Sequence, residues 1–248
     1  MTSKTKIQEE KELSLQYELS RYTKKTDLEE LTIVELTVEN VARVEFMIRN
    51  NSRYAGQNNK STTIWLKKFA NALKGEHTQE DYRKIVFEVV SGIDRTNSTH
   101  INADGVGREE LTERIVNIDK NLLFEYLKSP EKDNYKLIEI LSKKTNPDPA
   151  NPNMHARRNY SFATKFCHDT AFYLFEDEVE QDNFSKYDNV VAQNIGKYAK
   201  CYEIEKPNDI SYNYKSFITL VDAIIKKSGN KISRNGFDHL LWYMNKTR

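Results

Sequence analysis

Apolar residues recur at three-and-four spacing through nearly the whole chain, a period that belongs to helices buried along one face. Val38, Val41, Val44 and Ile48 follow Thr37, which can cap them. Ile64, Trp65, Phe69 and Leu73 share one side of a segment over 61–73. Thr78, with Asp81 three residues on, opens Tyr82, Ile85, Val86 and Val89 in the manner of a capping box. Leu111, Ile115, Ile118 and Leu122 predict a helix that stops before Pro130. Tyr135, Ile138 and Leu141 predict a shorter one that ends before Asn146-Pro147-Asp148-Pro149. Phe162, Ala163, Phe166, Cys167, Tyr173 and Leu174 make the next, and Asp188 can cap a helix over 190–198. The last two carry Phe217, Val221 and Ile224, then Phe237, Leu240, Leu241 and Met244, with Gly229 closing the first and Ser233 opening the second. Only 31–38 reads as a strand, and the charged first thirty residues read as a helix on the outside. The expected class is all-α: a two-lobed helical bundle, with an N-terminal region over 1–130 and a C-terminal one over 131–248 packed as one compact unit.

Charge and composition narrow the function. With 30% charged and 38% hydrophobic residues, no run approaches the roughly 20 apolar residues of a membrane span. Met1-Thr2-Ser3-Lys4-Thr5-Lys6 leads into charge, so no secretory signal is expected. Cys167 and Cys201 are too few for a disulfide framework, and a cytoplasmic protein is the natural expectation. A net charge of +1 argues against a protein held on nucleic acid by bulk electrostatics, but a local patch suffices for an enzyme that handles one nucleotide. Lys143, Lys144, Arg157, Arg158 and Lys165 cluster, and so do Lys215, Lys226, Lys227, Lys231, Arg234, Lys246 and Arg248; the acids gather over 176–182. Three stretches read as loops: 53–59, the polar 91–107, and 146–159, which holds three of the five prolines.

Chemistry concentrates at Lys165 and Asp188. Lys165 lies among Phe162, Phe166 and Cys167 on a widely apolar helix, where an amine shielded from water can act as a nucleophile. Its plainer role is a surface pair with Asp169 four residues on. Asp188 can serve as an N-cap alone, or stabilise developing positive charge and relay protons; Asp182 is the rival carboxylate. Tyr160, Phe162, Cys167 and His168 flank the lysine, and Trp242 lies on the last helix; each also suits core packing. His155, Cys167, His168 and Cys201 lack zinc spacing, so no metal and no cofactor are expected. Asp104-Gly105-Val106-Gly107 has neither strand nor lysine to frame a phosphate loop.

The helix, polar turn, lysine-bearing helix and downstream aspartate opening another helix, over about 134–200, resemble the helix-hairpin-helix DNA glycosylase superfamily. The nearest branch is the glycosylase/AP lyases that excise 8-oxoguanine. The resemblance implies a helix-hairpin-helix-like element and a partner DNA carrying a damaged or modified purine. That base is flipped into a pocket between two lobes. It makes Lys165 the nucleophile that attacks C1′ and forms a Schiff base, and Asp188 the carboxylate that assists base departure. Their charged groups are then expected to face one cleft. Arg157, Arg158, Asn159 and Ser161 stand where the family has a glycine-rich turn, so they become the phosphate contacts. Tyr160, Phe162, Cys167, His168 and Trp242 become candidates for the base pocket. The alternative is a non-catalytic helical module binding nucleic acid or protein, for instance in phage defence.

Overall fold

The computed structural model describes residues 18–50, 57–75, 78–97, 99, 101, 107–144 and 158–246. Among them the chain is mostly helical, with eleven helices and one two-stranded antiparallel sheet. Strand β1 (Arg21–Lys25) pairs with β2 (Glu30–Val34), Thr23 opposite Thr32. The helices are α1 (Val38–Asn50), α2 (Gln57–Lys74), α3 (Gln79–Asn97), α4 (Gly107–Val116), α5 (Lys120–Lys128) and α6 (Lys136–Ser142). They continue with α7 (Tyr160–Leu174), α8 (Glu178–Gln181), α9 (Asn189–Cys201), α10 (Tyr214–Ser228) and α11 (Arg234–Lys246).

Two compact units emerge. The first gathers the described residues of Met1–Gly56, Asp188–Asn208 and Ser216–Arg248; the second gathers those of Gln57–Tyr187 and Asp209–Lys215. In the first, α11 packs against α1 and α9, and α9 against the sheet. The Tyr198 ring meets Phe237 edge-on at 5.1 Å, and its hydroxyl donates to Val34 O at 3.0 Å. Asn40, fully buried, donates through Nδ2 to Ser20 O and Glu35 O and accepts the Ser20 N–H, which ties the sheet's first residues to α1.

In the second unit α7 is central, with α2, α3, α5, α6 and α8 all packed against it. Phe69 of α2 and Phe166 of α7 lie 5.8 Å apart, and Phe69 stacks on Tyr82 of α3 at 6.0 Å. Buried faces of this size are what hold helices of ordinary length in water.

Several expectations need correction. Residues 18–30 are not an outer helix; they contain β1 and a turn in which Thr26 Oγ1 donates to Glu29 O and accepts the Glu29 N–H. Residues 1–17 lie outside the described residues. The stretch 111–122 is two helices, because Asp119 accepts the Asn121 and Leu122 N–H groups and starts α5 afresh. Val38, Ile64 and Leu122, read as inward, are exposed; Met47, Leu66 and Leu123 take the buried places. The predicted loop 91–107 begins inside α3, whose Ser91, Gly92, Ile93 and Asp94 are buried. Asp94 then anchors the chain beyond: it accepts from Thr99 Oγ1 (2.9 Å), Ile101 N–H (3.1 Å) and both Nε and Nη2 of Arg108. Gly107 follows from the same close approach, since a Cβ there meets the Ile101 carbonyl oxygen at 1.8 Å. Residues 51–56 and Asp104, Gly105 and Val106 lie outside the described residues.

Candidate functional site

Helix α7 is buried almost all round: among its fifteen residues Tyr160, Phe162 to His168, Thr170, Ala171 and Leu174 are all buried. That Lys165, His168 and Thr164 are among them is the unusual fact, because lysine is rarely withdrawn from water. Lys165 is 5% exposed. Residues 165, 168 and 169 stand three and four apart, so they share one face of the helix.

On that face Asp169 is the hub. His168 Nδ1 lies 3.1 Å from its Oδ1, and Lys186 Nζ lies 3.1 Å from the same oxygen. Burial alone pushes the Asp169 carboxyl up, but the Lys186 ammonium and the His168 hydrogen bond outweigh it and hold the group well below the usual carboxylate range. An ionised carboxylate only accepts, so the imidazole donates from Nδ1. The ring of Phe172 lies parallel to His168 with centroids 6.5 Å apart.

The segment before α9 is fastened to α7. Thr164 Oγ1 accepts the Tyr187 N–H at 3.0 Å, and Tyr214 OH accepts the Ser185 N–H at 2.7 Å. Around the first turn of α7 the rings of Tyr135, Tyr160, Phe184, Tyr187 and Tyr214 form one cluster, with Tyr135–Tyr214 at 4.9 Å and Tyr160–Tyr187 at 5.0 Å. Tyr160, expected beside a base, donates its hydroxyl to Ile210 O at 3.2 Å, and burial raises its pKa. Phe162 stacks on Phe166 within the core. Cys167 is fully buried and its thiol is pushed well up, so it is no thiolate at neutral pH.

Asp188 opens α9: its Oδ1 accepts the Val190 N–H at 2.9 Å and the Val191 N–H at 3.1 Å. It is the first residue of a stretch of one unit, as Tyr187 is the last of a stretch of the other. Lys165 therefore belongs to the second unit, and Asp188 with Trp242 to the first. Asp182 ends α8.

The basic residues expected to hold phosphate divide. Arg157 lies outside the described residues. Arg158 is exposed and pairs with Lys144 in an isolated antiparallel bridge, and its Nη2 donates to Tyr212 O at 2.7 Å. Asn159 is buried instead; its N–H donates to Ser142 O and its Nδ2 to Lys143 O, both at 3.2 Å, and its side chain makes no capping bond. Ser161 is half-buried, and its carbonyl accepts from Thr164 Oγ1. Arg114 donates to the carbonyls of Lys143 and Lys144, which fixes the backbone of this basic strip. Residues 145–157, where the hairpin turn was expected, lie outside the described residues. Among the described residues no group of three His, Cys, Asp or Glu is placed to hold a metal, and no helix is long and apolar enough to cross a membrane.

Sequence reasoning passed over Lys186 and Tyr212. The only signal for the first is a lysine four residues beyond the acidic run over 176–182; for the second there is none, because Tyr212 draws its meaning from Arg158, 54 residues away.

No family model matches the sequence, and no curated protein or solved structure is significantly similar to it.

Proposed function

We propose that the chain is a DNA base-excision glycosylase with associated AP-lyase chemistry, acting on a damaged or modified purine. The observation that carries this reading is the burial of Lys165 on α7, on the same helix face as His168 and Asp169. Lysine is rarely withdrawn from water, and its place on this face beside an imidazole and a carboxylate is what supports amine chemistry. The exposed strip of Lys143, Lys144 and Arg158 supports the nucleic-acid part of the reading.

In this reading the Lys165 Nζ lone pair forms a bond to C1′ as the C1′–N bond breaks. The electrons of the broken bond leave with the base, which takes up a proton. Opening of the sugar ring gives a protonated imine; loss of a C2′ proton then breaks the C3′–O bond, and water releases the amine. Arg158 contacts the backbone phosphate.

Borohydride trapping on an oligonucleotide containing 8-oxoguanine or an abasic site tests this directly. A covalent adduct is expected with the wild type and none with Lys165→Gln. The absence of an adduct and of base release across a panel of purine lesions refutes the assignment. The same basic strip favours a second reading, a nucleic-acid-binding module without catalysis, and retained DNA binding in that negative case selects it.

A further inference from the structure

Tyr212 is 55% exposed, on a turn whose flanking residues Ile210 and Tyr214 are buried. The turn is closed by Tyr212 and Asn213 N–H groups donating to Asp209 O, and by Asn213 Nδ2 donating to Asp209 Oδ2 at 2.7 Å. It is pinned to the rest of the unit by Tyr160 OH donating to Ile210 O and by Arg158 Nη2 donating to Tyr212 O. The Arg158 guanidinium carbon lies 5.8 Å from the centre of the Tyr212 ring. Next to it runs the exposed pair Lys143 and Lys144, bridged to Arg158 and fixed through their carbonyls by Arg114. An exposed aromatic ring is thus held in one place, with a guanidinium over it and two exposed lysines beside that arginine, one of them paired with it through the backbone.

We propose that Tyr212 is a stacking platform for one unpaired base of a DNA strand, with Arg158, Lys143 and Lys144 holding the flanking phosphates. The inference rests on the nucleic-acid reading above and adds a residue to it. A ring with a cation over it stacks a base on its open side whatever the base is, because every base has a π-face. The charges then follow the backbone. An acidic peptide satisfies the lysines but makes no use of an exposed ring with a guanidinium over it. Arg158 grips the backbone carbonyl of Tyr212 rather than its side chain, so substitutions at 212 leave that hydrogen bond in place.

The test is fluorescence anisotropy with labelled oligo-dT, on the full chain, across a salt series. Tyr212→Ala is expected to weaken binding about 5- to 50-fold, and Tyr212→Trp to hold or strengthen it. Lys143→Gln with Lys144→Gln is expected to flatten the dependence of log K on log salt by roughly 1.4. Equal affinities for wild type and Tyr212→Ala overturn the platform, as does displacement of the strand by polyglutamate as effectively as by unlabelled oligo-dT. A wild type that does not bind the strand also overturns it. Borohydride trapping, run alongside, reports on Lys165 independently, so failure of the platform and failure of the glycosylase reading give different patterns.

Discussion

Replacing Lys186 by methionine removes the ammonium 3.1 Å from Asp169 Oδ1 and keeps most of the apolar stem. The two side chains are 19% and 16% exposed, so water screens the pair weakly. In the native fold the Asp169 carboxyl is held below its ordinary range against the opposing effect of burial. Such a group adds stability above its unfolded value, near ~4, and loses that contribution as pH falls toward the lower folded value. Without Lys186 burial dominates, the carboxyl moves up, and keeping Asp169 charged at neutral pH becomes a cost. Removing one member of a buried pair typically costs about 3–5 kcal/mol. With the His168 bond still present and some exposure, about 2–3 kcal/mol is expected at pH 7, a fall in Tm of about 4–12 °C for a chain of this size. The cost should shrink by roughly half between pH 7 and pH 4, because the variant's carboxyl takes up its proton over that range. Urea unfolding at four or five pH values measures both quantities. A loss below ~1 kcal/mol at pH 7, or a loss that stays constant down to pH 4, refutes the account of the Asp169 hub. Asp169→Asn in the Lys186→Met background should return much of the stability and remove its pH dependence.

Two further outcomes follow from the geometry. Asp188→Ala is expected to lose about 1 kcal/mol of stability with the two capping bonds of α9, whereas Asp188→Asn keeps a capping oxygen and should unfold within ~0.5 kcal/mol of wild type; an Ala variant as stable as wild type in urea contradicts the cap. Gly107→Ala places a methyl 1.8 Å from the Ile101 carbonyl and should cost at least ~2 kcal/mol in thermal unfolding; a neutral result contradicts the packing of 101 against α4.

The helices were legible because their signals are local. Thr78 and Ser233 cap as their spacing predicts, Gly229 takes the left-handed conformation that closes α10, and the apolar stripes of α3, α6, α10 and α11 face inward. Misreadings arose where two local signals compete or where a partner is remote. Ile118 and Leu122 continue the period of Leu111 and Ile115, yet Asp119 between them offers its carboxylate to the next turn and restarts the helix. The β-hairpin was hidden because only Ile33 and Val34 of β2 are buried, so β1 carries no alternation of its own.

The chemistry is harder to read for a related reason. A helix buried on one side announces itself by its stripe, but α7 is buried on nearly all sides, and there polar residues fall at positions set by what surrounds them. The sequence singles out Lys165 and His168 but gives Asp169 only the part of a surface partner for Lys165. The character of Asp169 depends on Lys186, contributed by the segment after the helix. The sequence pairs Lys165 with Asp169 because they are four apart; the fold gives Asp169 the ammonium of Lys186 and the imidazole of His168. The spacing of the helix alone therefore does not set the charge of Asp169; its neighbour His168 and a lysine from the segment after the helix do, which is why no window of sequence around α7 shows the hub.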